Sequence, residues 1–313
     1  MRPEERDNLF GRIALELDFV SKEEIADALE AMKHLRELGI TDRSLADIMV
    51  QKGYITESEK EEIASHLDEG KALGAVLHGY QIILELEHGS PGRLYKAYQP
   101  AMDRTVLIRM LSKNNLEEAE HIESLKRETK LLAKLQHPCI VSGLDARETE
   151  DEYFLVLEYV DGVRLSQLLE IEGRLEEEAA LKIATKVAKA LECIDEAGVV
   201  HRDIEPENIL IGKGGEVKIA SLALAVMKSE LANETHRNTF TKTPFYMAPE
   251  QAKGFADLDS RSDLFALGAT LFHMLTGQLP FGNDPMMATA HIITQNTPSP
   301  RRLRPEISEA TDN

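Results

Sequence analysis

Apolar positions recur at helical spacing through the first seventy residues and then give way to strand-like alternation. Ile25, Ala28, Leu29 and Met32 fall on one helical face. The stretch RIALELDFVSKEE from Arg12 matches DIMVQKGYITESE from Asp47 at a fixed offset. Phe19-Val20-Ser21 aligns with Tyr54-Ile55-Thr56, and Glu24 aligns with Glu59. Each copy holds [ST]-x-x-E, the capping box that opens a helix, and Val20 and Ile25 are placed for a hydrophobic staple across the first cap. Residues 1–70 are therefore expected to form a small all-helical domain, a helix–turn–helix pair. From Asp68 to Gly79 charge yields to Gly and Ala, so residues 71–79 read as a linker.

From Tyr80 the pattern changes. YQIILELEHGSPGRLYKAYQP reads as strand, glycine turn, strand, and RTVLIRML and EYFLVLEYVDG as further strands. An amphipathic helix, LEEAEHIESLKRETKLLAKL, lies between those two. Beyond residue 160 helices dominate. One carries Ile183, Val187, Leu191 and Ile194 on a single face. Another, RSDLFALGATLFHMLTGQLPF, is expected to turn Leu264, Leu267, Leu271 and Leu275 to the core. ILIGKGGEVKIA is a hairpin closed by glycine-rich turn residues. The expected class is α+β, with a β-rich piece at 80–160 and a helical piece at 161–313.

Composition narrows the functions. The chain has 313 residues, 42% of them hydrophobic, enough for a large core. Its formal net charge of −19 argues against a nucleic-acid partner, which needs a basic face. No stretch of about 18 apolar residues is present, and MRPEERDNLF has no signal-peptide core, so a cytoplasmic protein with no membrane span is the default expectation. Cys139 and Cys193 lack metal-ligand spacing and read as reduced core thiols.

The densest chemistry is HRDIEPENIL, His201 to Leu210. It holds H-R-D-x-x-x-x-N, and with its neighbours in order it resembles the protein kinases of Ser/Thr type. The resemblance covers about residues 80–310. It implies a bilobal kinase fold, cut short at its C-terminal end and preceded by the helical domain. It also implies ATP and Mg²⁺ as cofactors. By position, Asp203 is the acceptor of the substrate proton and Asn208 a metal ligand. Gly89 and Gly92 are the second and third glycines of the phosphate loop, with Glu87 in place of the first. Arg109 replaces the phosphate-binding Lys, and Glu128 is its ion-pair partner on the following helix. Leu107 takes the small roof position over adenine, Leu157 the gatekeeper position, and Glu158 and Val160 the hinge. By the same resemblance Leu210 is a further cofactor-binding position. Ala248-Pro249-Glu250 resembles A-P-E, and Asp263 the Asp that braces the catalytic loop from below.

Beyond Glu87 and Arg109, two more positions depart on the phosphate and metal side. Glu205 stands where the family places Lys, a swing of two charges. Ser221-Leu222-Ala223 stands where it places D-F-G, whose Asp grips Mg²⁺. Three readings follow. One is a pseudokinase with impaired ATP and Mg²⁺ binding, acting as a signalling scaffold or binding module. The second is a weak or atypical Ser/Thr kinase. The third makes the N-terminal repeat the functional part and the kinase-like lobe a signal-transmitting partner. Protein partners would dock on the kinase-like lobe, the N-terminal repeat, or both. Ser229, Thr235, Thr239 and Thr241 are candidate phosphosites that would dock on Arg202. The N-terminal repeat also resembles, weakly, the helical repeats of secretion-type ATPases, some of which bind a cyclic dinucleotide through an Arg-Leu-Gly start. Here that start reads Leu9-Phe10-Gly11.

Overall fold

A computed structural model describes residues 7, 10–11, 13–15, 17, 19–37, 43–69, 76–89, 92–114, 116–231, 244–254 and 258–312. The chain divides into two compact units, residues 1–119 with 147–159, and residues 120–146 with 160–313.

The first unit opens with helices α1 (Lys22–Glu37), α2 (Leu45–Gln51) and α3 (Glu57–Glu69). The expected caps are made. Ser21 N–H donates to Glu24 at 2.7 Å and Glu24 N–H returns to Ser21 Oγ at 3.2 Å. Thr56 and Glu59 repeat the exchange at 2.6 and 3.2 Å. A third box, Ser44 with Asp47, starts α2, and the buried Asp7 adds a bond from Leu45 N–H at 2.9 Å. Together these satisfy amides that a helix start leaves without intrahelical partners. Ile13, Leu45, Met49 and Ile63 are fully buried and form the core of this helical part.

A sheet follows in the order β1-β2-β3-β4-β6-β5. Its strands are β1 (Val76–Leu77), β2 (Tyr80–Gly89), β3 (Gly92–Gln99), β4 (Arg104–Ser112), β5 (Gly143–Glu148) and β6 (Glu152–Glu158). β1 lies inside the stretch read as a linker, where it pairs with Tyr80 and Gln81. A two-residue strand has no period to read, so the sequence pattern missed it. Tyr95, Ile108, Phe154 and Leu155 are essentially buried. β5 carries the chain from the second unit back to the first.

The second unit holds most of α4 (Leu116–Leu132), then β7 (Gly162–Arg164), α5 (Leu165–Glu172), α6 (Glu177–Glu196) and β8 (Val199–Val200). The hairpin β9 (Ile209–Gly212) and β10 (Val217–Ile219) comes next, then β11 (Val226–Met227), α7 (Pro249–Ala252), α8 (Ser260–Thr276), α9 (Pro285–Thr294) and α10 (Glu309–Asp312). The predicted face of α6 is buried at Ile183, Val187, Leu191 and Ile194. α8 bears out part of the expectation. Leu267 and Leu275 are buried, Leu271 is half-buried, and Leu264 is 54% exposed. The buried face also takes in Asp263, Ala266, Thr270 and Met274, so it is rotated toward Asp263 relative to the leucine row. Cys139 and Cys193 are free but only half-buried.

Candidate active site

The catalytic-loop candidates lie in the second unit, on the turn between β8 and β9. α8 supplies the support. Asp263 Oδ2 accepts His201 N–H at 2.8 Å and its Oδ1 accepts Arg202 N–H at 2.7 Å. Arg202 is a non-glycine at φ 67, left-handed backbone that costs about 1–2 kcal/mol and so needs such support. Burial pushes the Asp263 carboxyl up to about 6, against the pull of these two amides. Burial pushes the His201 imidazole down to about 4, with the Ser221 backbone opposing it. His201 is thus neutral at pH 7, and its Nδ1 accepts Asp203 N–H at 3.2 Å.

Asp203 and Asn208 are brought together as expected. Asn208 Nδ2 donates to the Asp203 carbonyl at 2.9 Å and to its Oδ2 at 2.8 Å. Leu210 pairs with Lys218 across the hairpin. Glu205 is buried. Burial raises the Tyr246 phenol, and the Glu205 carboxylate raises it further, so a negative charge sits within the field of that ring. Tyr246 OH bonds His273 Nδ1 at 2.7 Å. Glu250 takes a hydrogen bond from the fully buried Ser262 at 2.6 Å.

Ser221 Oγ accepts Ala223 N–H at 3.3 Å. α4 holds the same turn from the other side. The buried Glu128 accepts Leu222 N–H at 2.9 Å, and Ser124, one helical turn earlier, donates to Ala223 C=O at 3.1 Å. Neither of these bonds, nor the Gln251 bond described below, is marked by a sequence pattern. A single polar residue on a helix has no period.

The first unit carries the other candidates. Arg109 stands on β4 opposite Leu94 and Leu155, and Leu107 opposite Lys96 and Leu157, so all share one face of the sheet. Leu157 is buried, and Glu158 pairs with Val106. Val160 begins the second unit. Lys96, not singled out by the sequence, is buried on this face. Its Nζ donates to Tyr159 OH at 2.9 Å and lies 4.1 Å from that ring's centroid, a cation–π contact that helps a lysine stay out of water. Gly89 pairs with Gly92 at the end of the β2–β3 hairpin. Ser90, Pro91 and the Glu87 side chain lie outside the described residues, as do Thr235, Thr239, Thr241 and Thr243. Ser229 is exposed.

The protein kinase domain family matches residues 80–312. The chain belongs to the protein kinase family. The kinase domain is 34% identical over 236 residues to a probable serine/threonine-protein kinase PknB of Lactococcus lactis, covering 75% of this chain and 37% of that protein. It is 34% identical over 236 residues to serine/threonine-protein kinase PrkC of Bacillus subtilis (75% and 36%), and 34% over 241 residues to serine/threonine-protein kinase pkn3 of Myxococcus xanthus (74% and 44%). The chain thus spans less than half the length of these relatives.

Protein kinases as a family use ATP and Mg²⁺. The second unit's donors do not fit the cation well. Mg²⁺ favours charged oxygen. Here Ser221 offers a neutral hydroxyl that already receives Ala223 N–H. Among the described residues no group of three or more His, Cys, Asp or Glu side chains is placed to hold a metal. Among them, too, no helix is long and apolar enough to cross a membrane.

Proposed function

We propose that this kinase domain is a pseudokinase, a kinase fold kept as a signalling scaffold or binding module with impaired ATP and Mg²⁺ binding. The observation that carries the reading is Ser221. It stands where the family uses a metal-gripping Asp, and its hydroxyl is turned to the backbone of its own turn. The buried Glu205 adds to it. Two unit charges about 4 Å apart interact by about 4 kcal/mol at the effective dielectric of a protein surface, here repulsive toward a triphosphate. Leu107 adds volume at the roof over adenine. Meanwhile the elements that shape the fold, Asp263 under the loop and Glu128 at Leu222, are fully engaged. Partners dock on the kinase domain, on the N-terminal helices, or on both.

Thermal-shift titration of the full chain with ATP and MgCl₂ tests this. A ligand at 100 times its Kd stabilises by about 2.7 kcal/mol, a shift of several degrees that is easily seen. We expect no Mg²⁺-dependent shift; a clear one overturns the reading.

One observation favours a second reading, a weak Ser/Thr kinase with Asp203 as proton acceptor: the Asp203–Asn208 geometry is complete. Phosphate incorporation from labelled ATP that vanishes in Asp203→Ala supports it. Equal background in both proteins removes it.

A further inference from the structure

The peptide plane between Arg202 and Asp203 is held at both ends. Its N–H, from Asp203, donates to His201 Nδ1 at 3.2 Å. Its C=O, from Arg202, accepts from Gln251 Nε2 at 3.0 Å. A peptide is planar, so fixing its oxygen and its hydrogen fixes its tilt, and that tilt sets the direction in which Asp203 leaves the backbone. Arg202 needs such fixing. It is left-handed at φ 67, and its own N–H and guanidinium are tied to Asp263 (2.7 Å) and to Leu224 C=O (2.6 Å). Gln251 uses the other end of its amide as well: Oε1 accepts Ala248 N–H at 3.0 Å. One side chain thus joins the start of α7 to the backbone that aims Asp203.

We propose that Gln251 is a positioning residue. Through the Arg202 carbonyl it sets the plane that carries Asp203, and it couples the 244–251 stretch to the catalytic loop. Whatever shifts Ala248 is then felt at Asp203. The geometric claim stands without phosphoryl transfer; only its kinetic consequence rests on Asp203 acting as proton acceptor.

Gln251→Glu separates the two bonds in the full chain. The carboxylate still accepts Ala248 N–H but cannot donate to Arg202 C=O. Amide hydrogen exchange should then speed up by about 5-fold or more at Arg202 and Asp203, the factor for one lost neutral hydrogen bond, with Ala248 unchanged. Gln251→Met, neutral and of similar length, should free Ala248 N–H and the Arg202 carbonyl together, and so speed exchange at Ala248 as well as at Arg202 and Asp203. It repeats the test without an added charge. Wild-type exchange at Arg202 and Asp203 in both variants overturns the proposal. If the wild-type chain transfers phosphate, Gln251→Glu should lower kcat with the KM for ATP unchanged. If it transfers none, the kinase reading of Asp203 fails while the exchange rates still decide the role of Gln251.

Discussion

At Gly92 the backbone lies at φ 83, and a Cβ would stand 2.4 Å from both Met110 O and Leu111 Cδ2. The carbonyl belongs to the paired strand β4 and cannot retreat without breaking the ladder. Gly92→Ala should therefore lower stability by more than about 1 kcal/mol, read as a fall in the urea midpoint. His201 and Asp263 make a second residue-level prediction, with opposite signs. The folded His201 titrates at about 4 against 6.5 in the unfolded chain, so its contribution is present above pH 6.5 and lost as pH falls toward 4. The folded Asp263 titrates at about 6 against 3.8, so its contribution is present below pH 3.8 and lost as pH rises through 6. Each is worth about 3 kcal/mol, and in the shared window they nearly cancel. Asp263→Asn removes one side of the balance. Its stability should fall by about 3 kcal/mol more than the wild type's between pH 6.5 and 4, measured by denaturant unfolding at each pH. Equal slopes would show that the two groups do not titrate as placed.

Among the elements, the N-terminal helices were the most legible, because a capping box is a local pattern whose partners lie three residues apart. Ser21→Ala and Thr56→Ala should each cost about 1 kcal/mol, and nearly the same amount, since both boxes make the same bonds. Thermal melts followed by circular dichroism check this. The hairpin β9–β10 and the buried face of α6 were legible for a like reason. The face of α8 was half legible: Leu267 and Leu275 turn inward as expected, while Leu264 is left exposed because the helix turns Asp263 in to the catalytic-loop amides. The grip of α4 on Ser221–Ala223 was half legible. Glu128 stands out by family position, but Ser124 is one serine among polar neighbours until the turn is folded against it. Ser124→Ala should release Ala223 C=O and speed exchange at Leu222 N–H about 5-fold, while Ser124→Thr, which keeps the hydroxyl, should not.

On the scale of the whole molecule, order along the chain was what the sequence could carry best. Short motifs, each weak alone, occur in one succession from the β2–β3 hairpin to Asp263, and the family match spans residues 80–312. Side chains that meet across long sequence gaps were what it could not carry. Lys96 finds Tyr159 63 residues on, and Gln251 finds Arg202 from 49 residues away. The net charge of −19 sharpens the functional question, since an anionic ligand must approach against it, and under the proposed reading Glu205 and a neutral Ser221 would then face it. Reversing the local terms is the direct test. Glu205→Lys with Ser221→Asp restores two charges of the family pattern while leaving the net charge at −18, because the first change adds two and the second removes one. If those two positions are what weakens nucleotide binding, the double variant should gain an ATP- and Mg²⁺-dependent rise in melting temperature of about 5 °C that the wild type lacks. Each single variant should gain less, since phosphate and cation are neutralised together. A double variant that folds with its exchange pattern intact yet shows no rise would move the obstacle to the adenine side, where Leu107→Ala is then the change expected to admit the base.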